Sequence, residues 1–355
     1  VKVLLHIGAP KTGTTSIQNW AAANRAALEA RGILYPVAPG ERPRPKPVPN
    51  HVGLAISASL AAREAGLLDM LGLPDAAAAA LFAPRMEQRL AEEIAASGCG
   101  TLLLSNEHLS GRLRQEQEIA ALRALIERVA GAVSAWRVVY YHRRQDQMIQ
   151  SIYAMQVLHG GTAPFRLSAS PQDPRFDPRA ILGLYAQVFG EEAITVRVFD
   201  RRRLVAGDAV ADLMSLLGVD TAEAGFSPPQ RRNLSLSGPG LEVLRLLNVT
   251  APGFRAGIHN PKHVPIIAAL RSLPPGPPTA LAPREALDAF LAGYVEINAE
   301  IARRWLGRAD GAMFDPPGEE EAAMPLAEPL TAEQAVSLLA PLLQQALAAA
   351  AARSG

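Results

Sequence analysis

The first sixteen residues constrain the fold more than any other stretch of this chain. Val1 to Ile7 is a short apolar run with β-branched residues that stops at Gly8. The spacing then becomes helical, with Ile17, Trp20, Asn24 and Leu28 recurring ahead of Gly32. Strand, glycine loop and helix therefore follow one another. In that order the loop from Gly8 to Thr15 presents backbone N–H groups and the positive end of a helix to one point, which suits an anion.

Further apolar runs, Thr101 to Leu104, Val133 to Tyr141 and Ile194 to Phe199, alternate with helical stretches at about 85–96, 115–130, 180–188 and 208–217. The alternation predicts an α/β, P-loop-like three-layer fold: a central, mainly parallel sheet flanked by helices, with ligands at the carboxyl ends of its strands. With 355 residues, 49% of them hydrophobic, the chain suffices for one large domain or two ordinary ones. We expect a core over 1–310 with cleft-forming insertions near 41–75 and 251–283. A proline-containing linker and terminal helix over 311–355 complete the expected organisation. Glu41 to Pro49 is too proline-rich for a helix or central strand, and Ala251 to Pro283 and Asp315 to Pro329 are broken by Pro and Gly. Leu330 to Arg353 is rich in alanine and leucine behind Thr331, a suitable N-cap.

Thirty-five basic side chains against thirty-four acidic ones leave a formal charge of +1, so no bulk field draws in nucleic acid or anionic membrane. Any anion site is local. The lone Cys99 excludes an intrachain disulfide framework and a multi-cysteine zinc site, and reads as a small apolar filler. His259 and His263 are separated by Pro261 and lack an acidic partner, so no metal site is expected. No stretch approaches the ~20 apolar residues of a membrane span and no signal-peptide pattern opens the chain. The expectation is a soluble, cytoplasmic protein without membrane insertion. Its oligomeric state is open.

An ordinary NTPase loop reads G-x-x-x-x-G-K-[ST]. Gly8 and Gly13 match, but Thr14 stands at the lysine position and Lys11 lies inside the loop. The string Pro10-Lys11-Thr12-Gly13-Thr14-Thr15 resembles the first loop of sulfotransferases that use 3′-phosphoadenosine 5′-phosphosulfate (PAPS), in particular bacterial and carbohydrate-type members. Their second motif, an arginine followed eight positions later by a serine, is matched by Arg143 and Ser151 at a predicted strand-to-helix junction. Gln145 stands where many members have proline. The resemblance covers roughly residues 1 to 250. It implies that Lys11, Thr12, Gly13, Thr14, Thr15 and Ser16 cradle the 5′-phosphosulfate and that Arg143 and Ser151 hold the 3′-phosphate. PAPS would be the donor and PAP the product, with no metal. Arg231 and Arg232 would belong to a late basic loop over the nucleotide. The acceptor would be a hydroxyl on a glycan, lipid or small metabolite.

Sulfuryl transfer needs in-line placement, neutralisation of the departing phosphate, and a base for the acceptor proton. Lys11 suits the second task. For the base, Glu107 just past the strand Thr101 to Leu104, His51 after the proline-rich loop, and His108 compete. The plainer reading of each is a helix-start residue. Two other functions fit the same opening: a small-molecule kinase, lacking the lysine after Gly13, and a nucleotide-binding module without chemistry.

Overall fold

Strand β1, Lys2–Gly8, is an almost uninterrupted apolar run and is buried from Val3 onward, as a strand covered on both faces must be. It occupies the centre of a five-stranded sheet with β2 (Ile33–Leu34), β3 (Thr101–Ser105), β4 (Ala135–His142) and β5 (Ile194–Val198), in the order β2-β3-β1-β4-β5. All four pairings are parallel. The protein is thus α/β with an all-parallel central sheet flanked by helices. These features come from a computed structural model that describes residues 1–42, 47–59, 65–168, 170–228, 236–250, 254–255, 258–259, 263–272, 279–328 and 330–354.

Two compact units interleave along the sequence, so residues 1–310 are distributed over both. Val1–Arg144, Pro171–Arg232 and Glu296–Phe314 form the first; Gln145–Ser170, Asn233–Val295 and Asp315–Gly355 form the second. The first contains the sheet. Helix α1, Thr14–Ala23, lays Ile17, Trp20 and Ala21 against Leu4, Leu103, Val139 and Tyr141 on one side of it. Helix Ala209–Ser215 joins the same cluster through Val210, Leu213 and Met214. Fully buried Asp212 receives the Tyr141 hydroxyl at 2.8 Å, the Arg197 guanidinium, and the Val205 amide at 3.1 Å. One carboxylate thereby ties β4, β5 and the turn after β5 together, and its burial is tolerated because its oxygens are satisfied.

The helical pattern from Ile17 to Leu28 is interrupted in the structure. α1 ends at Asn24, whose Nδ2 donates to the Trp20 carbonyl at 2.9 Å while its Oδ1 accepts from the Ser227 amide at 2.7 Å. An asparagine competing for backbone groups closes the helix early, and a short turn, Arg25–Glu29, continues it.

Among its described residues the second unit is mainly helical, with a two-stranded antiparallel pair, Phe254–Arg255 with Ile258–His259. Tyr153 and Val157 of helix Gln145–Leu158 pack with Leu241 and Leu244 of helix Gly238–Thr250. Asn248 Nδ2 donates to the carbonyls of Val157 (2.8 Å) and Gly161 (2.9 Å), finishing the first of these helices. Helix His263–Ser272 lies within the segment expected to be loop; its Pro265 falls in the first turn, where a missing N–H costs nothing. The terminal helix, Ala332–Ser354, begins as expected. Thr331 Oγ1 accepts from the Gln334 amide and Gln334 Oε1 accepts from the Thr331 amide, a reciprocal cap. Leu338 and Leu339 of this helix rest on the Leu241 cluster.

Candidate functional site

The connection leaving β1 leads to β2 at one edge, and the one leaving β4 leads to β5 at the other. The adjacent carboxyl ends of β1 and β4 therefore flank a point where the connections diverge, the place where open parallel sheets hold ligands. The loop from Gly8 to Thr15 and Arg143 both lie there. Ala9 N–H donates to the Tyr141 carbonyl at 3.3 Å, and Arg143 Nη1 donates to the Lys11 carbonyl at 2.8 Å. Two motifs 132 residues apart are thus joined directly.

Local chemistry shapes the loop. Lys11 and Gly13 adopt positive φ, 67° and 78°. Glycine at 13 meets both a backbone and a space requirement, since a Cβ there would come within 2.9 Å of Ala209 Cβ. Buried Thr12 donates its hydroxyl to the Ala9 carbonyl at 2.6 Å, pinning the bend. Gly13 caps α1 without a side-chain bond, and no acidic residue occupies the first turn of this helix. The first amides of a helix have no intrahelical acceptor, whereas those of Ser16 and Ile17 already bond the Gly13 carbonyl. Ser16 can then offer its side chain but not its N–H. Thr14 is buried, Thr15 is exposed and Ser16 half-buried.

Two cations meet at this loop. Burial lowers the proton affinity of Lys11 below the usual lysine value, and neighbouring Arg143 adds to the effect. The Arg143 guanidinium also lies 5.5 Å from the centre of the Phe199 ring. Ser151 sits half-buried in helix Gln145–Leu158, which follows β4 in sequence and belongs to the second unit. Arg231 and Arg232 lie outside the described residues.

The three candidate bases separate. Glu107 immediately follows Asn106 at the end of β3 and is half-buried, with its Cα only 3.3 Å from where a Cβ on Gly8 would stand. The absent side chain of Gly8 is what lets Glu107 approach the loop. Its Oε2 accepts from Gln18 Nε2 at 2.8 Å. His108 follows it, half-buried, with its amide bonded to Asn106 Oδ1 at 2.9 Å. His51, expected to open a helix and face the acceptor, lies in the interior. It is fully buried, its Nδ1 accepts from the Ser105 amide at 3.1 Å and its Nε2 donates to the Pro36 carbonyl at 3.1 Å. Burial pushes the imidazole down to about 3, partly offset by the Pro36 carbonyl. Both ring nitrogens are occupied, so His51 ties the end of β3 to the Pro36 segment.

Sequence reasoning gave Gln18, Ser105 and His6 no individual role. Each is a fully or nearly fully buried polar residue amid apolar neighbours in β1, β3 or α1, and that mismatch was the available signal.

No family model matches this chain, and no solved structure matches it. An uncharacterized protein of Archaeoglobus fulgidus is 33% identical over 113 residues, which is 32% of this chain and 30% of that protein. The chain thus matches under a third of that relative's length. Among the described residues no helix is long and apolar enough to cross a membrane.

Proposed function

We propose that this protein transfers a sulfuryl group from PAPS to an acceptor hydroxyl. The observation that carries the reading is the junction of Lys11 and Arg143: two cations held side by side at the mouth of a parallel sheet, beside a helix start without an acidic residue. Two cations at one sheet mouth call for a ligand that carries more than one negative charge. A nucleotide with separate 5′ and 3′ charges fits that requirement. In this reading the Lys11 ammonium neutralises the charge that grows on the departing 5′-phosphate, while the first amides of α1 and the hydroxyls of Thr14 and Thr15 hold the sulfuryl oxygens. Arg143 takes the 3′-phosphate, and the half-buried Glu107 accepts the acceptor's proton. The hydroxyl oxygen bonds to sulfur as the bridging sulfur–oxygen bond breaks, and PAP leaves.

Calorimetry with PAP, ADP and AMP tests the cofactor. PAP should bind far more tightly than either, and Arg143→Ala should weaken it by about 1.5 to 3 kcal/mol, the range for hydrogen bonds to charged groups. Equal affinity for ADP, or magnesium-dependent binding of ATP, would replace this reading by the kinase one. Binding of PAP without transfer to any hydroxylated acceptor would point to the non-catalytic module.

A further inference from the structure

Beneath the loop, four side chains form a continuous polar chain. Gln18, 2% exposed on α1, directs its Nε2 to Glu107 Oε2 at 2.8 Å and to Ser105 Oγ at 3.4 Å. Ser105 Oγ in turn lies 2.8 Å from His6 Nδ1, and both Ser105 and His6 are fully buried. Directionality follows from the chemistry. Turned the other way, the Gln18 amide would set its carbonyl against a carboxylate, so the NH2 faces Glu107 and its second hydrogen is left for Ser105. Ser105 Oγ also bonds His6 Nδ1, the direction of that bond depending on the imidazole tautomer. Nε2 has no partner of hydrogen-bond geometry, although the nearby Gly8 backbone weakly favours a proton on the ring. Burial keeps the imidazole neutral, its proton affinity pushed down to about 3. The chain therefore runs from beside the first residue of the loop to the carboxylate at its rim, through groups that do not change charge near neutral pH.

We propose that Gln18 is a positioning residue for the transfer step, fixing the Glu107 carboxylate against the loop from Gly8 to Thr15, with Ser105 and His6 holding Gln18 in place. The proposal rests on the reading of Glu107 as the base, and it explains why α1 places an amide on its buried face next to Ile17 and Ala21, where an apolar side chain would pack without needing partners. Glu107 has several rotatable bonds. A donor anchored in the core restricts them, so less ordering remains for the reaction itself.

The experiment uses the full chain labelled with carbon-13 at the glutamate carboxyl, the Glu107 signal being identified by its loss in Glu107→Gln. In Gln18→Met and Gln18→Glu that signal should move at neutral pH. Ser105→Ala should move it less, and the surface change Gln88→Met should leave it alone. A Glu107 signal unmoved in folded Gln18→Met and Gln18→Glu would overturn the proposal. Should neither fold, Ser105→Ala decides: an unmoved signal there overturns it as well. With PAPS and 2-naphthol as probes, Gln18→Met should lower turnover at saturation by about tenfold to a hundredfold while PAP affinity holds. Turnover falling only in step with PAP affinity would also overturn it. If the wild-type protein neither binds PAP nor turns over, the sulfotransferase reading fails, and the carboxyl signal still decides whether Gln18 positions Glu107.

Discussion

At the scale of single residues, the proposed chemistry divides between Lys11 and Glu107, and each makes a distinct prediction. The Lys11 ammonium is assigned to charge that develops only as the sulfuryl group leaves. Lys11→Ala should therefore depress turnover at saturating PAPS more than it weakens PAP binding. Lys11→Arg should rescue poorly, because a planar fork does not fit a point-charge position in a bend held by the Thr12 hydroxyl. A variant that binds PAP weakly yet turns over normally at saturation would make Lys11 an anchor only. Glu107→Gln keeps shape and removes the basic oxygen, so PAP release in the presence of acceptor should fall by roughly 10² to 10⁴ with nucleotide affinity unchanged. His51→Ala separates structure from chemistry. It should lower the unfolding midpoint by removing the bonds to Ser105 and Pro36, and any loss of turnover should track the loss of folded protein.

At the scale of elements, the loop and α1 work as one piece because glycine stands at their junction. Gly13 holds φ of 78° with Ala209 and Phe199 immediately beyond it. Gly13→Ala adds a left-handed strain of about 1 to 2 kcal/mol, and a contact of 2.9 Å that the packed helix Ala209–Ser215 must yield to. We expect a lower urea midpoint together with loss of PAP binding, since the loop must shift to relieve the clash. Unchanged PAP affinity in that variant would show that the loop's geometry is not what holds the nucleotide. Gly131 has positive φ as well, with open space around its Cβ position, so Gly131→Ala should affect stability without touching nucleotide binding.

At the scale of the whole molecule, three buried histidines among the described residues tie folding to pH. His6, His51 and His142 are each buried, and burial pushes them down to about 3, about 3 and about 4. Their ordinary value when unfolded is about 6.5. Below that pH the unfolded chain binds protons that the folded chain refuses, so stability is fully present above about 6.5 and is lost as pH falls toward the folded values. Each group contributes a slope of up to about 1.4 kcal/mol per pH unit inside that window. Urea unfolding at pH 7.5, 5.5 and 4.5 should show the folded state weakening steeply. His142→Asn, which removes one of the three, should flatten the slope, and a slope identical to wild type would mean this histidine is protonated in the fold.

The alternation of apolar runs and helical stretches determined the parallel sheet, because burial on both faces leaves a local signature in each strand: the expected runs and β1, β3, β4 and β5 coincide to within one or two residues. The string from Pro10 to Thr15 likewise marked a tight bend, since glycine and small hydroxyl residues are required by local backbone geometry. The two-residue edge strand β2 was illegible, being too short to show a period. Only tertiary structure decided that Arg143 meets Lys11, because strand order places β4 beside β1 and no sequence spacing encodes which strands are neighbours. It also set the surroundings of Glu107 and His51 apart. Both follow plausible loops in sequence, but packing surrounds His51 with Ser105, Pro36 and Tyr35, while the missing side chain of Gly8 brings Glu107 to the loop.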